Sequence, residues 1–206
     1  MMTLNQILEN KIVAIIRGAQ PDDVIKIAEA LYEGGVKALE VTLNSPDALM
    51  VIETLSKKME KELLIGAGTV LNALSAQSAL SAGARFIISP NLDRETIQVT
   101  KESGAVSIPG AFTATEIVSA YQYGGDIIKV FPASDASYIK AIRGPLPHIP
   151  LMPTGGVNLE NIQAFQKAGA VAFGIGSALV NTREEVTTEY LQQLTAKAKR
   201  FVQAVF

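Results

Sequence analysis

Eight short apolar runs recur along the chain at intervals of roughly 20–25 residues, with amphipathic stretches between them. The runs are "KIVAIIR" (11–17), "ALEVTL" (38–43), "LLIGAGT" (63–69), "FIIS" (86–89), "VSIPG" (106–110), "IIKVFP" (127–132), "PLMPTGG" (150–156) and "AFGIGS" (172–177). The stretches between, such as "PDDVIKIAEALYEGG" and "NLENIQAFQKAGA", read as helices. Their joints share one form, seen in "LYEGGVKALEV", "ALSAGARFII", "AYQYGGDIIKV" and "FQKAGAVAFGI". A helix ends, glycine takes the left-handed C-terminal position, and an apolar strand follows. Gly35, Gly83, Gly104, Gly125 and Gly169 are the expected joint residues. Strand–helix units repeated eight times with short joints are the pattern of a (β/α)8 barrel. A doubly wound open sheet is the competing architecture, because a count of strands does not show closure. No linker or low-complexity block interrupts the 206 residues, so one barrel domain over residues 1–206 is expected. A short helix over residues 2–9 should precede it, and a longer one over 184–205 should close it.

Composition narrows the function classes. The net charge is −2 with no cluster of Lys or Arg, which gives no footprint for nucleic acid or an anionic membrane surface. No apolar run reaches the ~18 residues that a membrane span needs. The opening stretch "MMTLNQILENK" carries charges and no small-residue cleavage site, so a secretory signal is not expected. Cysteine is absent, which removes disulfides and thiolate metal sites and fits a cytoplasmic protein. The single histidine, His148, precedes a strand on the side away from the expected site, so neither a catalytic role nor a carboxylate–histidine metal site is expected. Arg143 reads as a surface or subunit contact, and "SKKMEKE" (56–62) as a solvated helix end.

In a barrel of this kind the chemistry sits at the C-terminal ends of the strands. Alternation along each strand then assigns the polar residues to faces. Glu40 and Thr42 share a face opposite Leu39, Val41 and Leu43; Lys129 shares one with Ile127 and Phe131; Arg17 follows Val13 and Ile15. One charged group near the end of each of three apolar strands implies a polar centre inside the barrel mouth. An ammonium buried there favours loss of its proton, and a neutral amine is a nucleophile that forms a Schiff base with a ketone. The bland alternative is a Lys–Glu pair that fills the barrel with a salt bridge. Glu40 could move protons directly or through one water, or could balance the charge of Lys129 or Arg17. Glycine supplies a second signal: "PTGGV" and "GIGSALV" close two consecutive runs. Exposed backbone amides of Gly155, Gly156, Gly176 and Ser177, with a helix starting after the first motif, would suit a phosphate. "GAGT" (66–69) is a further tight strand end that could bring Thr69 to a substrate carboxylate.

These pieces together resemble the 2-keto-3-deoxy-6-phosphogluconate (KDPG) aldolases. The likeness runs over residues 11–180 and rests on "LEVTL" with Glu40, "GAGTV" with Thr69, "FIISP" with Pro90, "IPG", "IKVFPA" with Lys129 and Phe131, "PTGGV" with Thr154, and "GIGSALV" with Ser177. The resemblance implies a (β/α)8 barrel, a homotrimer, and no metal or cofactor. It implies a class I aldolase that cleaves a phosphorylated 2-keto-3-deoxy sugar acid to pyruvate and glyceraldehyde 3-phosphate, with 4-hydroxy-2-oxoglutarate as a further substrate. By match, Lys129 is the Schiff-base lysine and Glu40 the acid/base. Thr69 and Arg17 would hold the pyruvate carboxylate, Phe131 would pack on the pyruvyl carbons, and Pro90 would be a further substrate-binding residue. Thr154 would meet the sugar hydroxyls, and Gly155, Gly156, Gly176 and Ser177 the phosphate. Some members carry Arg after "EVTL", where this chain has Asn44; "LNSP" (43–46) is similar to the sister aldolases acting on the galactonate epimer, whereas Thr154 favours the gluconate. Two other readings are a phosphosugar isomerase or epimerase and a non-catalytic sugar-phosphate-binding barrel.

Overall fold

The computed structural model describes residues 2–133 and 135–206. Helix α1 (Met2–Asn10) leads into β1 (Ile12–Ile16), and strands and helices then alternate: α2 (Pro21–Glu33), β2 (Ala38–Thr42), α3 (Ala48–Lys58), β3 (Leu64–Gly68), α4 (Ala73–Ser81), β4 (Phe86–Ile88), α5 (Arg94–Glu102), β5 (Val106–Ile108) and β6 (Gly110–Ala111). After these come α6 (Ala114–Gln122), β7 (Ile128–Val130), α7 (Ala136–Arg143), β8 (Leu151–Pro153), α8 (Ile162–Lys167), β9 (Phe173–Ile175) and α9 (Thr188–Val205). Five helices start at side-chain caps: Asn72, Asp93, Thr113, Asp135 and Thr187 each accept a backbone N–H of the first turn.

All pairings are parallel, in the order β5–β4–β3–β2–β1–β9 and β6–β7–β8. Two joints close the ring. A parallel bridge from Thr154 to Gly174 connects β8 to β9. At the other joint, β5 and β6 are one strand interrupted at Pro109, which has no N–H to give to a ladder; its carbonyl still accepts from the Lys129 amide at 2.9 Å. The chain therefore forms a (β/α)8 barrel, and the open-sheet alternative falls. The eighth and last helix also differ from expectation. Residues 159–161 make a turn and α8 begins only at Ile162. Thr187 caps α9, so that helix starts at Thr188 rather than near 184.

Two apolar layers hold the barrel. Outward residues such as Ile12, Ala14, Ile16, Leu39, Val41, Ile128, Val130 and Phe173 pack under the helices. Inward residues Val13, Ala38, Phe86, Ile88, Val106, Ile108, Ile127, Met152 and Ala172 fill the interior, and Ile7, Leu4 and Leu8 of α1 pack against them at the N-terminal end. Space inside is tight. A Cβ on Gly66 would lie 2.3 Å from the Phe86 ring, so the bare backbone of β3 accommodates that ring. Full burial of one such phenylalanine contributes about 1.5–3 kcal/mol. The glycine joints follow expectation at Gly35, Gly83, Gly104 and Gly169, all with positive φ. At the "YGGD" joint Gly124 takes that conformation, with φ 105°, and Gly125 does not. Gly125 is required for space instead, since a Cβ there would meet Ile128 and Pro109 at 2.8 Å.

Candidate active site

Alternation carries Glu40 and Lys129 inward at the C-terminal half of the barrel. Glu40 is 0 % exposed and Lys129 3 %. The neighbours Leu39, Val41, Ile128 and Val130 point to the outer layer. Gly68 makes the room for the carboxyl: a Cβ there would fall 1.7 Å from Glu40 Oε1. Neither Glu40 oxygen has a hydrogen-bond partner among the described residues. Burial raises the carboxyl pKa above its ordinary 4.5, while the charges of Lys129 and then Arg17 pull it back down. None of the salt bridges among the described residues joins Glu40 to Lys129. The bland reading of a direct Lys–Glu pair is therefore not what the barrel contains. The two groups are coupled through space, the Lys129 charge lowering the Glu40 pKa.

Around this pair stand the other expected residues. The Lys129 Nζ lies 5.1 Å from the centroid of the Phe131 ring, which is 39 % exposed. That ring packs on Gly155, where a Cβ would come within 3.0 Å of it. Thr154 is buried on the inward face beside Met152, and its hydroxyl lies against Gly174. Pro90 follows β4, and its backbone packs on Gly110. Thr69 ends the "GAGT" turn in the left-handed region at φ 55°, an unfavourable place for a β-branched residue. Arg17 reaches across the mouth, donating from Nη1 to Thr69 Oγ1 and to Asn44 Oδ1, both at 3.3 Å.

The glycine loops sit at the same end. The amides of Gly155, Gly156, Gly176 and Ser177 donate to no acceptor among the described residues. Gly155 and Gly156 have φ 74° and 105°. The expected helix after the first loop does not start there. Asn161 ties that loop by donating to the Gly156 carbonyl, and α8 is only six residues long. Any anion at this loop would meet turn amides rather than the amino end of a helix.

Several ties had no signal of their own in the sequence. The Gly18 amide donates to Ser45 Oγ at 2.8 Å, and Thr182 Oγ1 donates to the Arg17 carbonyl at 2.7 Å. Their loops follow β2, β1 and β9, so the segment carrying Arg17 is held from both sides. His148 lies exposed, edge-on to Tyr121 and before β8, away from this cluster. Arg143 donates to the Ile149 carbonyl at 3.0 Å and so ties the loop before β8. A cleft of about 700 Å³ opens at the opposite end of the barrel, lined by Lys37, Lys61, Arg85 and residues of α1. It contains none of the groups just described.

The model of the KDPG and KHG aldolase family matches residues 4–196. The chain belongs to that family. It is 38 % identical over 175 residues to a probable 2-dehydro-3-deoxy-6-phosphogalactonate aldolase of Rhizobium meliloti, covering 84 % of this chain and 82 % of that one. It is also 38 % identical over 157 residues to the 2-dehydro-3-deoxy-phosphogluconate aldolase of Pseudomonas aeruginosa, covering 75 % and 71 %. The solved KDPG aldolase of Legionella pneumophila, in which pyruvate is captured as a covalent carbinolamine, superposes with a TM-score of 0.82 at 29 % identity, covering 97 % of each chain. This member of the family is accordingly an aldolase, a carbon–carbon lyase. No helix among the described residues is long and apolar enough to cross a membrane.

Proposed function

We propose that the chain cleaves 2-dehydro-3-deoxy-6-phosphogluconate to pyruvate and glyceraldehyde 3-phosphate through a Schiff base on Lys129, with 4-hydroxy-2-oxoglutarate as a side substrate. The observation that carries the reading is a buried amine coupled to a buried carboxyl that has no hydrogen-bond partner among the described residues. Lys129 Nζ attacks the C2 ketone, and the carbinolamine loses water as Glu40 delivers a proton. Glu40, acting through a water, then takes the C4 hydroxyl proton. The C3–C4 bond breaks, its electrons enter the iminium to give an enamine, and the aldehyde leaves. Protonation of the enamine at C3 and hydrolysis release pyruvate and restore the amine. A carboxyl whose pKa is raised by burial is suited to alternate between acid and base.

Supporting groups complete the pocket. Arg17 and Thr69 would take the carboxylate, and Phe131 and Pro90 the pyruvyl carbons. Gly155, Gly156, Gly176 and Ser177 would take the phosphate. Thr154 carries the preference for the gluconate, because a hydroxyl at the inner wall can pair with a sugar hydroxyl of one configuration. A second reading, the galactonate epimer, is favoured by the "LNSP" segment and by the similarity to the Rhizobium protein. Steady-state cleavage of the two epimers, side by side with hydroxy-oxoglutarate, decides between them. Thr154→Val should change the epimer ratio by about 5- to 10-fold, the worth of one hydrogen bond. An unchanged ratio would remove the basis for choosing the gluconate.

A further inference from the structure

Arg17 is held in an unusual way for a lone surface cation. Among the described residues its guanidinium makes no salt bridge. Both of its partners are neutral oxygens, Asn44 Oδ1 and Thr69 Oγ1, and both are reached from the same nitrogen, Nη1. That nitrogen has two hydrogens, so the two contacts use all of its donors. Nε and Nη2 donate to nothing among the described residues, and they form the edge that grips a carboxylate with two parallel bonds. The orientation of the Asn44 amide follows from the same contact: a guanidinium only donates, so the oxygen must face it. The charge is directed but not neutralised.

We propose that Asn44 is a positioning residue that turns the free Nε–Nη2 edge of Arg17 toward the carboxylate of a 2-oxo acid, leaving the guanidinium charge intact. The inference rests on the aldolase reading above and deepens it. Thr69 is the second fixed point, and its left-handed backbone sets its hydroxyl at the strand end. The backbone of Arg17–Gly18 is tied independently, by Thr182 and by Ser45, which also shares a hydrogen bond with Thr42 Oγ1. Loss of the Asn44 side chain therefore removes one of the two points that fix the guanidinium without releasing the loop. Asn44 is exposed, so substitutions there should not prevent folding.

The test is trapping of the lysine adduct with cyanoborohydride, measured against the concentration of pyruvate and, separately, of its uncharged methyl ester. Asn44→Ala should raise half-saturating pyruvate about 3- to 10-fold, the worth of one ordinary hydrogen bond. Asn44→Asp is nearly isosteric but cancels the charge, and should raise it about 10- to 100-fold. The trapping rate at saturation should change less than about twofold in both variants. Trapping of the methyl ester should be unaffected. Unchanged half-saturation in Asn44→Asp would overturn the proposal. So would equal losses with the ester, which would make Asn44 a loop residue only. Failure of the unaltered protein to trap any pyruvate would instead defeat the aldolase reading on which the proposal stands.

Discussion

The two ends of the barrel interior are built to opposite rules. Toward the N-terminal end Ile7, Val13, Ala38, Phe86, Val106, Ile127 and Ala172 make a dry apolar packing, with α1 as its floor. Toward the C-terminal end the same strands present Glu40, Thr42, Lys129 and Thr154, all at most 3 % exposed. The apolar end gains stability from burial. The polar end gives some of it up, since two ionisable groups are desolvated without a direct pair. One strand can serve both purposes: Ile127 and Lys129 are two residues apart on the same face of the strand segment.

The contrast can be broken at three points, in order of expected effect. Lys129→Ala should lower kcat by about 10⁴-fold or more, as loss of a covalent nucleophile does, and should abolish adduct formation with pyruvate. Near-normal turnover, or an adduct on another lysine, would take the chemistry away from the polar end. Ile7→Ala should behave in the reverse manner. It should cost about 2–5 kcal/mol of stability, lowering Tm by about 10 °C in calorimetry, while kcat at 25 °C stays within about twofold. A large loss of kcat would show that the floor and the mouth are not separable.

The smallest change in stability is the most diagnostic. Glu40→Gln should lose activity by about 10²–10⁴-fold yet gain about 1 kcal/mol of stability near neutral pH. The sign follows from the raised carboxyl pKa. At acid pH both folded and unfolded chains hold this proton, and the group costs nothing. As pH rises past the unfolded value, the unfolded chain releases its proton while the folded one keeps it, so stability drains away until the folded value is passed. The advantage of the glutamine should therefore be largest near pH 7 and shrink toward pH 4. Urea unfolding at the two pH values measures it. A variant less stable at both would mean that the carboxylate is welcome in its pocket.

Much of this polar centre was legible from alternation alone. Glu40 and Lys129 stand on the inward faces because their neighbours are apolar on the other side, and a period of two is hard to mistake in a buried strand. Other features had no such periodic mark. Whether Gly124 or Gly125 turns left-handed depends on what a Cβ would strike, which is knowledge of packing. The break at Pro109 inside a single apolar run, and the late start of α8, are set by ring closure and by the asparagine-bridged turn at 158–161. Asn44, Ser45 and Thr182 are neutral loop residues whose partners lie on other loops. Distance along the chain hides such partners until the barrel closes.

The third strand faces inward with Gly66 and Gly68, and neither position has space for so much as a methyl group. Anyone redesigning the cavity for a different aldehyde therefore works with a reduced alphabet. That eighth of the wall has no side chain to exchange at these two positions, and enlarging either would displace Glu40 or the Phe86 ring. New selectivity has to be written on the far wall and the rim loops, where Thr154 and Asn44 stand.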